Sequence, residues 1–249
     1  QMGGEQLRRK IESMGVRVHT SKNTLEIVQE GVEARKTMRF ADGSELEVDF
    51  IVFSTGIRPR DKLATQCGLD VAPRGGIVIN DSCQTSDPDI YAIGECASWN
   101  NRVFGLVAPG YKMAQVAVDH ILGSENAFEG ADLSAKLKLL GVDVGGIGDA
   151  HGRTPGARSY VYLDESKEIY KRLIVSEDNK TLLGAVLVGD TSDYGNLLQL
   201  VLNAIELPEN PDSLILPAHS GSGKPSIGVD KLPDSAQICS CFDVTKGDL

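Results

Sequence analysis

The stretch Thr85-Ser86-Asp87-Pro88-Asp89-Ile90-Tyr91-Ala92-Ile93-Gly94-Glu95-Cys96 constrains the fold of this 249-residue chain more than any other. It reads as a turn, a short apolar strand, a glycine and a carboxylate. Asp87-Pro88-Asp89 is turn chemistry, because proline presets φ and aspartate side chains close local hydrogen bonds. Ile90 to Ile93 is a bounded apolar run, the pattern of a strand covered on both faces. Gly94 lets a ligand approach the backbone. Glu95 then places an acceptor at the carboxyl end of the strand, where open α/β sheets bind ligands.

The flanking sequence supplies the other elements of such a sheet. Residues 4–14 set Leu7, Ile11 and Met14 on one helical face, and Gly15 stops that helix. Val16 to His19 reads as a short strand. Leu25 to Val28, Thr37 to Phe40 and Leu46 to Val48 alternate like antiparallel strands, with Asp42-Gly43 turning the last two. Phe50 to Phe53 reads as a buried strand ending at Ser54-Thr55-Gly56, and Gly76 to Asn80 as another. Val107-Ala108-Pro109-Gly110 leads into a helix from about Tyr111 to Leu122, with Met113, Val116, Ala117, His120 and Ile121 on its inner face. The free N–H groups and positive dipole end of such a helix favour a negatively charged ligand.

Beyond residue 131 the pattern changes to hairpins. Leu137 to Leu140, Ser159 to Leu163, Ile169 to Val175 and Leu182 to Val188 read as strands, with turns at Asp164 to Lys167 and Asp178 to Lys180. A helix follows from Tyr194 to Ile205, burying Leu197, Leu198, Val201, Leu202 and Ile205. The fold class is therefore α/β, followed by a small α+β domain. Residues 218–238 are rich in Gly, Ser and Pro and read as a linker, after which Cys239-Ser240-Cys241 appears.

Composition excludes several functions. A net charge of −10, spread along the chain, argues against nucleic acid and anionic membranes as partners. No apolar run approaches the roughly 20 residues of a membrane span. Five cysteines at irregular spacing make no secreted disulfide framework, which favours a reducing cytoplasm. Cys67, Cys83 and Cys96 form no C-x-x-C pair and read as structural thiols. Gly221-Ser222-Gly223-Lys224 is not a phosphate loop, since Ala218 and Pro225 break the pattern. The four histidines have no partners at metal-ligand spacing.

Gly94-Glu95 and the strand before it resemble the second FAD motif of the two-dinucleotide-domain flavoprotein reductases. Thr55-Gly56-Ile57-Arg58-Pro59 is similar to the turn that returns those chains from the nicotinamide domain to the FAD domain. Neither G-x-G-x-x-G phosphate turn of that family is present. Gly146-Ile147-Gly148-Asp149-Ala150-His151 comes nearest, lacks the third glycine and sets Asp149 where a pyrophosphate belongs. The stretch Lys138 to Val144, followed by Gly148-Asp149, resembles the C-terminal interface domain of rubredoxin reductases and nitrite reductase large subunits. The resemblance implies that residues 1–57 end an NAD(P)H-binding domain and residues 58–130 form the second half of an FAD domain. Residues 131–217 are then the interface domain, 218–238 the linker, and 239–249 the start of a small [2Fe-2S] domain (BFD-like).

By the same resemblance, Glu95, Gly94, Gly110, Tyr111 and Lys112 contact FAD, while Thr55 and Gly56 lie at the FAD/NAD junction. Cys239 and Cys241 supply half the ligands of a cluster that needs four. The order of these parts is similar to that in the large subunits of cytoplasmic NAD(P)H-dependent nitrite reductases. It implies electrons passing from NAD(P)H through FAD to iron–sulfur centres ([2Fe-2S] and [4Fe-4S]) and siroheme, reducing nitrite to ammonium. A small subunit and further copies of the chain are the implied partners. On this reading the sequence is an internal piece, inactive alone. Two alternatives stand beside it: an NADH:rubredoxin or ferredoxin reductase, and a non-catalytic docking or dimerisation module in residues 131–217.

Overall fold

The computed structural model describes residues 2–29, 31, 35–217, 232–239 and 244–249. The chain divides into two compact units, one of residues Ile11–Ile57 and one of Gln1–Lys10 with Arg58–Leu249.

The smaller unit is an antiparallel sheet of β1 (Thr24–Gln29), β2 (Lys36–Phe40) and β3 (Glu45–Val48), in that order. Its second hairpin turns at Asp42-Gly43, as the sequence predicts. Phe40 N–H donates to Ser44 O at 3.0 Å, and Gly43 takes φ +79°. Bonds from Lys22 and Ser44 hold the Asp42 carboxyl well below the usual carboxylate range. Two expected strands are absent. Val16 to His19 and Phe50 to Phe53 have no regular structure, and Phe50, Val52 and Phe53 are exposed. An apolar run shows that a segment can be buried, but it cannot supply the neighbouring strand that pairs its backbone. No strand pairs with either run among the described residues.

Helix α1 (Met2–Ser13) begins in the larger unit and lies on a sheet far along the chain. Leu7 packs with Val142, Tyr170 and Val188. Gly3 lies so close to Tyr170 that a Cβ there would come 2.8 Å from the ring. After the short α2 (Lys62–Gln66), β4 (Ile77–Ile79) pairs in parallel with β5 (Ala97–Trp99), Ile77 opposite Ala97. Helix α3 (Val107–Ile121) covers them, and Ile79, Ala97, Phe104, Met113, Val116 and Phe128 form the core between.

Here the sequence reading needs correction. Ile90 to Ile93 is not a sheet strand; it is hooked onto residues 83–85 by Ala92 N–H to Cys83 O at 3.1 Å and Thr85 N–H to Ile90 O at 2.9 Å. The sheet position belongs to Ala97, Ser98 and Trp99, which pair with Ile77, Val78 and Ile79. A Cβ at Gly76 would lie 2.9 Å from Ser98 Cβ. Glu95 therefore precedes the strand, in a 3-10 turn over Gly94–Cys96. Helix α3 also starts three residues before Gly110, and Ile121, expected inside, is exposed.

The rest of the larger unit is a five-stranded antiparallel sheet of β6 (Ala135–Leu139), β7 (Val142–Gly148), β8 (Arg158–Asp164), β9 (Ile169–Val175) and β10 (Leu182–Val188). The strand order is β6-β7-β10-β9-β8. Helix α4 (Tyr194–Leu202) packs on it, with Leu197 and Leu200 buried against Ile147, Leu173 and Leu187. The sequence reading extends this helix to Ile205 and buries Leu202. The structure ends it at Leu202, leaves that residue exposed and buries Leu200. Strand β7 was not predicted as a strand, since glycine is depleted in strands. Its glycine is needed where α4 crosses: a Cβ at Gly145 would lie 2.9 Å from the Tyr194 ring.

Residues 218–231 of the expected linker lie outside the described residues. Packed structure is present from Leu232, with Leu232 and Ala236 buried. A short pair then follows, β11 (Gln237–Cys239) and β12 (Val244–Thr245), with Cys239 opposite Val244. Gln199 of α4 donates to Gln237 O at 3.1 Å.

Candidate functional site

The site forms where the Gly94–Cys96 turn meets the start of α3. Gly94 takes φ +74°, a conformation that favours glycine, and a Cβ there would meet nothing within 4 Å. The turn therefore faces open space. Behind it, α3 comes close enough that a Cβ on Gly110 would sit 3.4 Å from Gly94 Cα. Gly94 N–H points at Met113 Sδ, 3.3 Å away. Gly94 thus serves the left-handed backbone of the turn, and Gly110 the approach of the helix to it.

Glu95 is exposed, and no hydrogen bond or ion pair engages its carboxylate among the described residues. The N-cap of α3 is Leu106, which offers no side-chain acceptor. Because Pro109 has no N–H, the unpaired donors at this helix start belong to Val107 and Ala108. They replace Gly110 and Tyr111, the start expected from sequence. Ile93, Leu106, Val107 and Tyr111 are exposed apolar residues in the same stretches. A free carboxylate, a glycine cradle, unpaired N–H groups and apolar side chains form a donor set that fits a flavin nucleotide: hydroxyls on the acid, electron-rich ring atoms on the helix.

The remaining predicted residues are placed differently. Lys112 is exposed and its ammonium donates to Gly130 O at 3.0 Å, so its head turns to the protein's own backbone. Thr55 and Gly56 (φ +92°) belong to the smaller unit and are exposed. Cys239 lies in β11, and Cys241 lies outside the described residues. Among the described residues, no group of three His, Cys, Asp or Glu side chains could hold a metal. Burial pushes the Cys83 thiol up to about 11, which makes it inert as a nucleophile. The half-buried Cys96 thiol donates to Ile93 O at 3.3 Å.

Two polar constellations escaped the sequence reading. Tyr91 Oη and His120 Nδ1 are 2.7 Å apart, joining the segment before Gly94 to the last turn of α3. Lys171, in the middle of β9 and 2% exposed, reaches Asp190 at 2.5 Å and Asp193 at 2.6 Å. A lysine inside a strand whose other members are mostly apolar, followed by two aspartates just past the next strand, is the available signal.

Residues 1–120 match the pyridine nucleotide-disulphide oxidoreductase family, and residues 134–205 the rubredoxin NAD+ reductase C-terminal domain. The large subunit of the Klebsiella oxytoca nitrite reductase [NAD(P)H] is 55% identical over 247 residues, covering 99% of this chain and 26% of that protein. The chain is homologous to NAD(P)H nitrite reductase large subunits. It spans about a quarter of the length of the Klebsiella relative. An assimilatory nitrate reductase electron transfer subunit of Bacillus subtilis is 36% identical, over 97% of this chain and 30% of that protein. Among solved structures, a ferredoxin reductase from Rhodopseudomonas palustris superposes with TM-score 0.67 at 19% identity, covering 84% of this chain and 51% of that one. These relatives establish a pyridine nucleotide-disulphide oxidoreductase fold. No helix among the described residues is long and apolar enough to cross a membrane.

Proposed function

We propose that this chain is the flavin-side portion of a cytoplasmic NAD(P)H-dependent nitrite reductase, which reduces nitrite to ammonium. One observation carries the reading: similarity to the Klebsiella large subunit covers 99% of the chain, whereas the rubredoxin reductase match ends at residue 205. A plain rubredoxin reductase gives no reason for the residues beyond, with Cys239 and Cys241.

In this reading the Glu95 carboxylate accepts hydrogen bonds from the FAD ribitol. The N–H groups of Val107 and Ala108 face the pyrimidine end of the ring, where the helix dipole favours negative charge. Gly94 gives the turn its left-handed backbone, Gly110 lets the helix lie beside it, and Tyr111 and Lys112 border the ring. Thr55 and Gly56 line the approach of the nicotinamide. Cys239 and Cys241 provide two thiolates toward a [2Fe-2S] cluster. Bound FAD supplies the conversion of a two-electron donor into single electrons, which the iron–sulfur and siroheme centres of such an enzyme require. The small subunit and a second copy of the chain are the partners.

The second reading, an NADH-dependent rubredoxin or ferredoxin reductase, is favoured by the match over residues 134–205. An absorption spectrum of the intact enzyme separates the two. Flavin and siroheme bands bleached by NADH and restored by nitrite are expected. Flavin bands alone, restored by a small iron protein and not by nitrite, establish the second reading.

A further inference from the structure

The segment Tyr91–Cys96 touches α3 at two widely separated places, Gly94 near the helix start and Tyr91 near its end, and the two differ in strength. At the N-terminal end Gly110 faces Gly94, where even an added Cβ would stand 3.4 Å from Gly94 Cα, about van der Waals distance. The Gly94 N–H has only a thioether in front of it, and thioethers are weak acceptors. At the other end, His120 in the last turn of α3 meets the Tyr91 hydroxyl at 2.7 Å, with the rings tilted by 57°. His120 lies about 20 Å along the helix from Val107, at 1.5 Å of rise per residue. The backbone around Tyr91 is itself anchored, through Ala92 N–H to Cys83 O and Thr85 N–H to Ile90 O. The tyrosine side chain is thus the strong directional link between an anchored segment and the helix.

We propose that Tyr91 and His120 are positioning residues for the flavin site: their hydrogen bond sets how far α3 slides past the turn. That register fixes the distance between the Glu95 carboxylate and the free N–H groups of Val107 and Ala108, which must grip one ligand together. The inference rests on the flavin reading of this site.

The test uses the intact FAD-loaded protein with Tyr91→Phe, His120→Leu, the double variant, His120→Gln and Glu95→Ala. The readouts are the FAD dissociation constant, the flavin midpoint potential and the thermal unfolding midpoint. Tyr91→Phe and His120→Leu are each expected to raise the dissociation constant about five-fold, the worth of one hydrogen bond, and to move the potential in the same direction. The double variant is expected to be no worse than either single one. His120→Gln is expected to recover most of the loss, since its amide can still bond the hydroxyl. If Tyr91→Phe and His120→Leu leave affinity and potential unchanged, or alter only the unfolding midpoint, while Glu95→Ala loses FAD, the positioning role is overturned and the flavin reading stands. Additive losses in the double variant overturn it as well. If Glu95→Ala keeps FAD at full affinity, the flavin reading fails and this inference fails with it.

Discussion

The β6–β10 sheet and the neighbouring β4, β5 and α3 region bury their apolar residues by opposite means. In the sheet, β6 with β7, β8 with β9 and β9 with β10 are hairpins, so these pairings form within a few residues, and β7 with β10 joins the two hairpin groups. Strands β4 and β5 run parallel, and parallel neighbours need a long crossover, here residues 80–96. The hairpin region closes over its own core: Leu173, Leu187 and Leu197 are fully buried. The parallel region buries the inner face of α3 but leaves Val107, Tyr111, Val118, Ile121 and Leu122 exposed on the outer one. Mostly local pairing gives a sheet with a closed core, and the parallel pair gives an open surface on which a ligand site can stand.

The sharpest way to break that contrast is to attack the sheet from inside. Lys171→Met leaves Asp190 and Asp193 facing each other without their cation, and breaking a buried pair from one side costs about 3–5 kcal/mol. Denaturant unfolding at neutral pH measures it. The pH dependence follows from Asp190. Burial pushes its carboxyl up, but the bonds from Lys171 and Ser192 outweigh this and hold it down to about 2. A carboxyl depressed in the folded state stabilises above its ordinary value near ~4 and loses that contribution as pH falls toward the folded value. The deficit of Lys171→Met is therefore expected to shrink between about pH 4 and pH 2. A deficit constant across that window shows that the lysine acts by packing alone. Next in size, Leu197→Ala opens a cavity between α4 and the sheet and is expected to cost about 3 kcal/mol by the same measurement.

The same contrast governs what the sequence disclosed. Strands β8, β9 and β10 fall within a residue of their expected bounds, because alternation and turn chemistry act locally. Strand β7 was hidden because its glycines serve the crossing of α4, a contact no local pattern encodes. The candidate motif Gly94-Glu95 is visible in the sequence as a glycine followed by an acid, but its geometry differs from the strand end that the sequence suggests. The apolar run Ile90 to Ile93 has a strand's pattern, while Ala97 to Trp99 takes the sheet position opposite Ile77 to Ile79. The start of α3 was displaced toward Gly110 because Val107-Ala108-Pro109 carries no capping side chain to mark it. Tyr91 with His120 is a pairing across residues far apart in the chain, and nothing in either neighbourhood announces it.

Glu95→Ala moves the test to the open surface. Removing a charged acceptor from ligand hydroxyls is expected to weaken FAD binding about 10- to 100-fold, from about 1.5–3 kcal/mol for hydrogen bonds to a charged group. Because Glu95 is exposed and bonded to nothing among the described residues, the unfolding midpoint without FAD is expected to stay unchanged. A fall in that midpoint assigns Glu95 a structural role and makes the two regions more alike.

The smallest expected effect is the most searching for the comparison. Val118 is half exposed on the outer face of α3, away from Met113, Val116 and Ala117, which are buried. Valine and serine have similar helix propensities, so Val118→Ser tests burial rather than helix formation. An uncovered position is expected to change stability by less than about 0.5 kcal/mol, whereas an equally apolar residue inside the β6–β10 core costs several times more. Measured in this chain, a loss above about 1 kcal/mol means that the outer face of α3 is covered. In that event the open surface is not open, and a second layer takes part in holding the helix whose first turn faces the candidate flavin.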